Sequence, residues 1–163
     1  MDPNQKPRWE GRASVHVSGA TPDQLWPFLQ DFTGLHKWLP SLAVCRLAEG
    51  VPGQPGCVRY CTSASNDSDG TFTLWAKEKL LSIDPIRRSL SYEVIDSNLG
   101  FGWYVATVKV VEEEGRGGCV MEWSFVSDPV EGWSLEGLIS YIDASLKAMA
   151  ERMQEALRAH AAK

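Results

Sequence analysis

Apolar and polar positions along the chain divide it into three zones. Residues 9 to 18 alternate weakly and predict a first strand, with Val15 and Val17 on one side and His16 on the other. Thr21-Pro22-Asp23-Gln24 reads as a helix start, with Thr as N-cap, Pro at the first helical position and Gln three residues after the cap. Leu25, Trp26, Phe28, Leu29 and Phe32 supply the apolar stripe of that helix, and Pro27 inside it predicts a kink or an early end. Gly34 to Pro40 predicts a second short helix. From Leu42 to Ser127 the pattern is of strands, about six, separated by turn signals at Gly50-Val51-Pro52-Gly53, Ser65 to Gly70, Asp84-Pro85 and Gly115 to Gly118. After Asp128-Pro129 the period becomes helical. Leu135, Leu138, Ile139, Ile142, Leu146, Met149, Met153 and Leu157 form one stripe of about seven turns.

One strand breaks its own pattern. In Phe72-Thr73-Leu74-Trp75-Ala76-Lys77-Glu78-Lys79-Leu80, residues two apart share a face. Phe72, Leu74, Ala76 and Leu80 make the dry face, and Glu78 points with them. A carboxylate there costs several kcal/mol unless it is paired or protonated. The nearest plausible partner is Arg59 in the preceding run Gly56-Cys57-Val58-Arg59-Tyr60-Cys61. Two arrangements fit: an internal pair that forms the polar floor of an apolar pocket, or a rim position where water reaches Glu78. Elsewhere Tyr92 shares a face with Leu90 and Val94, and Tyr104 leads the face of Ala106, Val108 and Val110.

A curved antiparallel sheet with one apolar face has to be covered, and the C-terminal helix is the only element large enough. The expected fold is α+β: about seven strands wrapped on one long helix, with two short helices near the N-terminus. Residues 1–8 are expected to be a flexible tail and residues 9–163 a single domain. A gap between sheet and helix around Tyr141 and Ser145 is expected to form a ligand cavity of a few hundred Å³, the usual size of a small-ligand site.

Composition narrows the functions. The 163 residues suit one domain with a real core. A net charge of −5 and the lack of a basic cluster argue against nucleic acid or an anionic membrane as the main partner. No apolar N-terminal segment or membrane-length stretch is visible, so a cytoplasmic setting without membrane insertion is expected. The four cysteines are then read as reduced thiols. Cys57 and Cys61 share a strand face but stand too far apart to bridge. No CxxC pair occurs and His16, His36 and His160 are scattered, so neither a metal nor another cofactor is expected. The glycine-rich segments match no nucleotide-binding loop, and no nucleophile elbow is present.

Four stretches carry a resemblance: Leu35-His36-Lys37-Trp38-Leu39-Pro40-Ser41-Leu42, Gly56-Cys57-Val58-Arg59-Tyr60, Trp75-Ala76-Lys77-Glu78-Lys79-Leu80 and Glu122-Trp123-Ser124-Phe125. With the order of elements they resemble the START-like helix-grip superfamily, which includes the polyketide cyclase/lipid-transport proteins. Within it the chain looks most like plant lachrymatory-factor-synthase-like proteins. That resemblance implies a small hydrophobic ligand or substrate held between sheet and helix. In the synthase an arginine and a glutamate at the positions of Arg59 and Glu78 carry an isomerisation with proton relocation, so the pair is the implied catalytic set. A cavity tyrosine falls on Tyr104, and two aromatic cavity positions are here Leu74 and Val94. Lys37 matches a lysine that pairs with a ligand carboxylate in the abscisic-acid receptors; as a residue of a short helix it reads equally well as a surface lysine. The gate and latch of those receptors are absent, since the corresponding loops read Ser63-Ala64-Ser65-Asn66-Asp67 and Ser97-Asn98-Leu99-Gly100-Phe101. The expected ligand contacts are thus Lys37, Leu74, Tyr92, Val94, Tyr104, Tyr141 and Ser145. The expected role is binding of a small, mostly apolar plant metabolite; the alternative is an isomerase with Glu78 as acid/base and Arg59 as anion stabiliser.

Overall fold

The computed structural model describes residues 7–63, 74–113, 115 and 117–161. Strand β1 covers Trp9–Val17 and is followed by helix α1, Pro22–Gln30. Thr21 caps α1 as its sequence requires: its Oγ1 accepts from the Gln24 amide while the Gln24 side chain accepts from the Thr21 amide. The helix runs through Pro27 and ends three residues later, as an internal proline favours. The second short element is a 3-10 helix over Phe32–Lys37, two residues earlier than the sequence suggests. Six strands follow: β2 Leu42–Glu49, β3 Val58–Ser63, β4 Trp75–Asp84, β5 Ser89–Ser97, β6 Tyr104–Glu112 and β7 Cys119–Ser127. Helix α2, Leu135–Ala161, closes the chain. Ser134 Oγ accepts from the Gly137 amide and so caps its first turn.

The strands form one antiparallel sheet in the order β1-β7-β6-β5-β4-β3-β2. β1 therefore pairs with the last strand, from Trp9 opposite Ser127 to Val17 opposite Cys119. The inner face follows the strand period. Cys119, Met121, Trp123, Phe125 and Ser127 are buried along β7, and Tyr104, Ala106, Val108 and Val110 along β6. From α2 the stripe residues Leu138, Ile142, Leu146, Met149 and Met153 are buried against that face. The helix lies close on β1 because Gly11 has no side chain. A Cβ there would stand 2.6 Å from Phe125 Cε1 and 2.7 Å from Ile139 Cγ1. This is the helix-grip arrangement that the sequence pattern predicts. Phe72, Thr73 and the gate-equivalent segment from Ala64 lie outside the described residues.

Candidate ligand cavity and its Arg59–Glu78 pair

Arg59 and Glu78 stand directly opposite each other on β3 and β4. Ala76, Glu78 and Leu80 share the inner face of β4, with Leu80 fully buried, whereas Lys79 is exposed. Arg59 Nε donates to Glu78 Oε1 at 2.7 Å. The Arg59 side chain is 6% exposed and that of Glu78 14%.

The guanidinium makes further contacts inside the protein. Its Nη1 donates to the Phe32 carbonyl at 2.9 Å, at the start of the 3-10 helix. Its Cζ lies 3.9 Å from the centroid of the Phe32 ring and 4.9 Å from that of Tyr92. Burial is the largest single influence and works to lower the Arg59 pKa, but Glu78 together with Cys61, Tyr92 and Cys45 outweighs it and the pKa is raised, so the group stays charged.

Glu78 faces the other way, into a cavity of about 140 Å³ between the sheet and the start of α2. The walls come from β3 (Cys61), β4 (Ala76), β5 (Tyr92, Val94), β6 (Tyr104) and β7 (Trp123), with Leu138 and Ile142 from α2. Leu99 and Phe101 close over it from the β5–β6 loop, and Leu35 and Leu39 from the 3-10 helix and the turn after it. Glu78 is the one charged residue among the described lining residues. No second hydrogen bond reaches it among the described residues, so Oε2 is open to a guest.

Aromatic rings make one side of the chamber. Tyr104 stacks on Phe125 at 5.5 Å and meets Phe101 at 5.0 Å and Tyr92 at 6.4 Å. Burial pushes the pKa of both Tyr92 and Tyr104 up, so both are neutral phenols. The Tyr104 hydroxyl is close to Trp123, yet the buried Trp123 Nε1 makes no hydrogen bond of good geometry.

Of the residues singled out in the sequence, Glu78, Leu74, Tyr92, Val94, Tyr104 and Tyr141 line this cavity. Tyr141 stands at its edge, 44% exposed. Three residues are placed otherwise. Arg59 does not line it but sits behind Glu78, beside a separate void of about 30 Å³. Lys37 extends outward, with Nζ 3.2 Å from the Asp31 carboxylate and a side chain 58% exposed. Ser145 is buried one turn beyond the cavity, and its Oγ donates to the Tyr141 carbonyl within α2. The cavity, at about 140 Å³, is also smaller than the few hundred Å³ expected, and its α2 lining ends at Ile142. Sequence reasoning missed Trp123, Leu99, Phe101 and Cys61. Trp123 and Cys61 were detectable as inward positions of alternating strands; Leu99 and Phe101 belong to a loop, which carries no period.

A curved sheet gripping one helix around an apolar chamber defines a helix-grip protein of the hydrophobic-ligand-binding class. The chain belongs to the polyketide cyclase/dehydrase and lipid transport family, whose model matches residues 8–158. Solved structures share the fold. Major latex-like protein 151 from Panax ginseng is 19% identical, with a TM-score of 0.72 over 91% of this chain and 97% of its own. The XoxI protein from Bacillus cereus is 24% identical, with a TM-score of 0.66 over 91% of this chain and 94% of its own.

Proposed function

We propose that this protein binds a small, mostly apolar metabolite in the cavity between sheet and α2, and that Glu78 accepts a hydrogen bond from its single polar end. One observation carries this reading: a lone carboxylate on an otherwise uncharged, mainly apolar wall, with its counter-charge held behind it rather than across the cavity. Buried polar groups in such sites fix orientation, while apolar area supplies affinity. The volume sets the size of guest, since a dry cavity of about 150 Å³ accommodates benzene. The resemblance to plant lachrymatory-factor-synthase-like proteins supports a plant metabolite, and four unpaired cysteines fit a reducing cytoplasm.

The open oxygen of Glu78 supports a second reading, proton relocation on a bound substrate such as a small sulfenic acid. In that reading Glu78 is the acid/base and Arg59 is a positioning residue that acts through it. The discriminating experiment pairs phenol with toluene, two guests of similar size that differ in one donor. Titration of each into the protein should show phenol bound at least about tenfold more tightly, the gain of a hydrogen bond to a charged acceptor. Equal affinities would sink the role given to Glu78. An isomerisation assay with a small sulfenic acid then separates binder from enzyme.

A further inference from the structure

Cys45 and Cys61 face each other across β2 and β3. Both are buried, and their sulfurs are 3.4 Å apart, with the Cys61 thiol donating to Cys45. Directly opposed cross-strand residues hold their Cβ atoms about 4.5–5.5 Å apart, and a disulfide needs roughly 3.5–4.5 Å. Bonding the two sulfurs thus asks the strands to approach by about 1 Å. β2 is free to give: it is an edge strand of the sheet, and irregularities in its pairing bracket Cys45, at Leu42/Val44 and at Leu47/Glu49.

The two sulfurs are not equivalent. Cys61 lines the ligand cavity, while Cys45 lies behind it with its sulfur 4.0 Å from the Phe32 carbonyl. The hydrogen bond from Cys61 pulls the Cys45 pKa down; burial opposes this and the Arg59 charge adds to it. The same hydrogen bond, with burial and Glu78, pushes the Cys61 pKa up. Together they hold one proton between two sulfurs, the arrangement of a reactive dithiol.

We propose that Cys45 and Cys61 form a dithiol site that an organic hydroperoxide, entering the ligand cavity, oxidises to a cross-strand disulfide. The inference rests on the binding reading for access alone. The Cys61 proton passes along the hydrogen bond to the Cys45 sulfur as Cys61 attacks the terminal oxygen of the hydroperoxide. The O–O bond breaks, and the departing alkoxide takes the Cys45 proton to leave as the alcohol. Cys61 is now a sulfenic acid and Cys45 a thiolate. Cys45 attacks the Cys61 sulfur, the S–O bond breaks, and hydroxide leaves to be protonated by solvent. Two thiols have lost two electrons to one peroxide bond.

The test treats the reduced full-length protein with one equivalent of tert-butyl hydroperoxide, blocks residual thiols with a maleimide and maps the peptides. The expected result is a Cys45–Cys61 link with Cys57 and Cys119 alkylated, reversed by dithiothreitol. Cys45→Ser should stop the reaction at a Cys61 sulfenic acid that dimedone traps. If that variant does not fold, the Cys57→Ser/Cys119→Ser protein serves instead, and its two remaining thiols must disappear together. Four alkylated cysteines, a link through Cys57 or Cys119, or oxidised Cys61 beside alkylatable Cys45 would each overturn the proposal. Phenol titration of the same sample keeps the readings apart: a link formed without phenol binding retains the dithiol and removes the binding reading, and the reverse does the opposite.

Discussion

Arg59 reaches Glu78 through Nε and the Phe32 carbonyl through Nη1, so one guanidinium ties β4 to the 3-10 helix from behind the cavity wall. Both of these donors are committed to the protein, and Arg59 does not line the main cavity. The pair is a scaffold with one working surface, the outer oxygen of Glu78.

Removing the arginine should therefore damage folding before function. Arg59→Met leaves a largely buried carboxylate without its counter-charge and removes the strong donor to the Phe32 carbonyl, and should lower stability by about 3–5 kcal/mol in urea denaturation. The double variant Arg59→Met/Glu78→Leu should recover most of that loss, because a buried pair exchanged for apolar side chains is often close to neutral. A single variant as stable as wild type would show that the pair contributes nothing to the fold.

Glu78→Gln gives the complementary result. The amide oxygen can still accept from Arg59, but the group facing the cavity becomes a neutral donor. Phenol affinity should fall roughly 10- to 100-fold, the worth of a hydrogen bond to a charged group, while toluene affinity should hold. Any turnover of a sulfenic acid should fall by at least about a hundredfold. A large drop in melting temperature with phenol affinity and activity unchanged would reduce Glu78 to a structural ion-pair member.

Filling the chamber tests its location. Val94→Phe adds a ring to a wall that already carries Tyr92 and Tyr104. Both guests should lose at least about tenfold in affinity, with stability changing by less than about 1.5 kcal/mol if the ring occupies the void. Lys37→Ala is the control. It removes only an exposed pair with Asp31, so binding should change less than about twofold and stability by under about 1 kcal/mol. Loss of binding in the lysine variant, with none in the phenylalanine variant, would move the site to the surface.

The buried tyrosines predict alkaline behaviour. Tyr92 and Tyr104 have raised pKa values in the fold, chiefly from burial. In the unfolded chain both ionise near pH 10. Above that pH the unfolded state holds fewer protons than the native one, so stability contributed by these neutral phenols falls as pH rises. Ultraviolet titration should find two of the four tyrosines ionising only as the protein unfolds. All four titrating together in the native protein would show that the cavity is wet at rest.

The sheet and the long helix were legible because period-2 and period-3.6 patterns survive wherever one face is buried. Glu78 was legible for the same reason, as a charge out of place on an apolar face. Its partner was harder to read. Val58 and Tyr60 flank Arg59 with apolar bulk, and only the register of β3 on β4 turns the arginine inward. Lys37 and Ser145 show the limit of pattern. Each stands on an element that touches the site, but the rotation of a short 3-10 helix and the depth of one helical turn are set by packing, which no local pattern encodes. The Cys45–Cys61 contact was hidden by a register of two strands separated by a turn, where attention to spacing within one strand pointed to Cys57 instead.

The pairing of β1 with β7 has a kinetic consequence. Trp9 waits for Ser127, and Gly11 must be in place before Ile139 of α2 can settle beside Phe125. On a ribosome adding about 5–20 residues each second, β1 is without its partner β7 for several seconds. The inner face of β1 lacks its strand partner through that interval, and the sheet is complete only once β7 has been made. Contacts this distant along the chain slow folding. Val15 and Val17 thus stay without their cross-strand partners Met121 and Cys119 until β7 has been made.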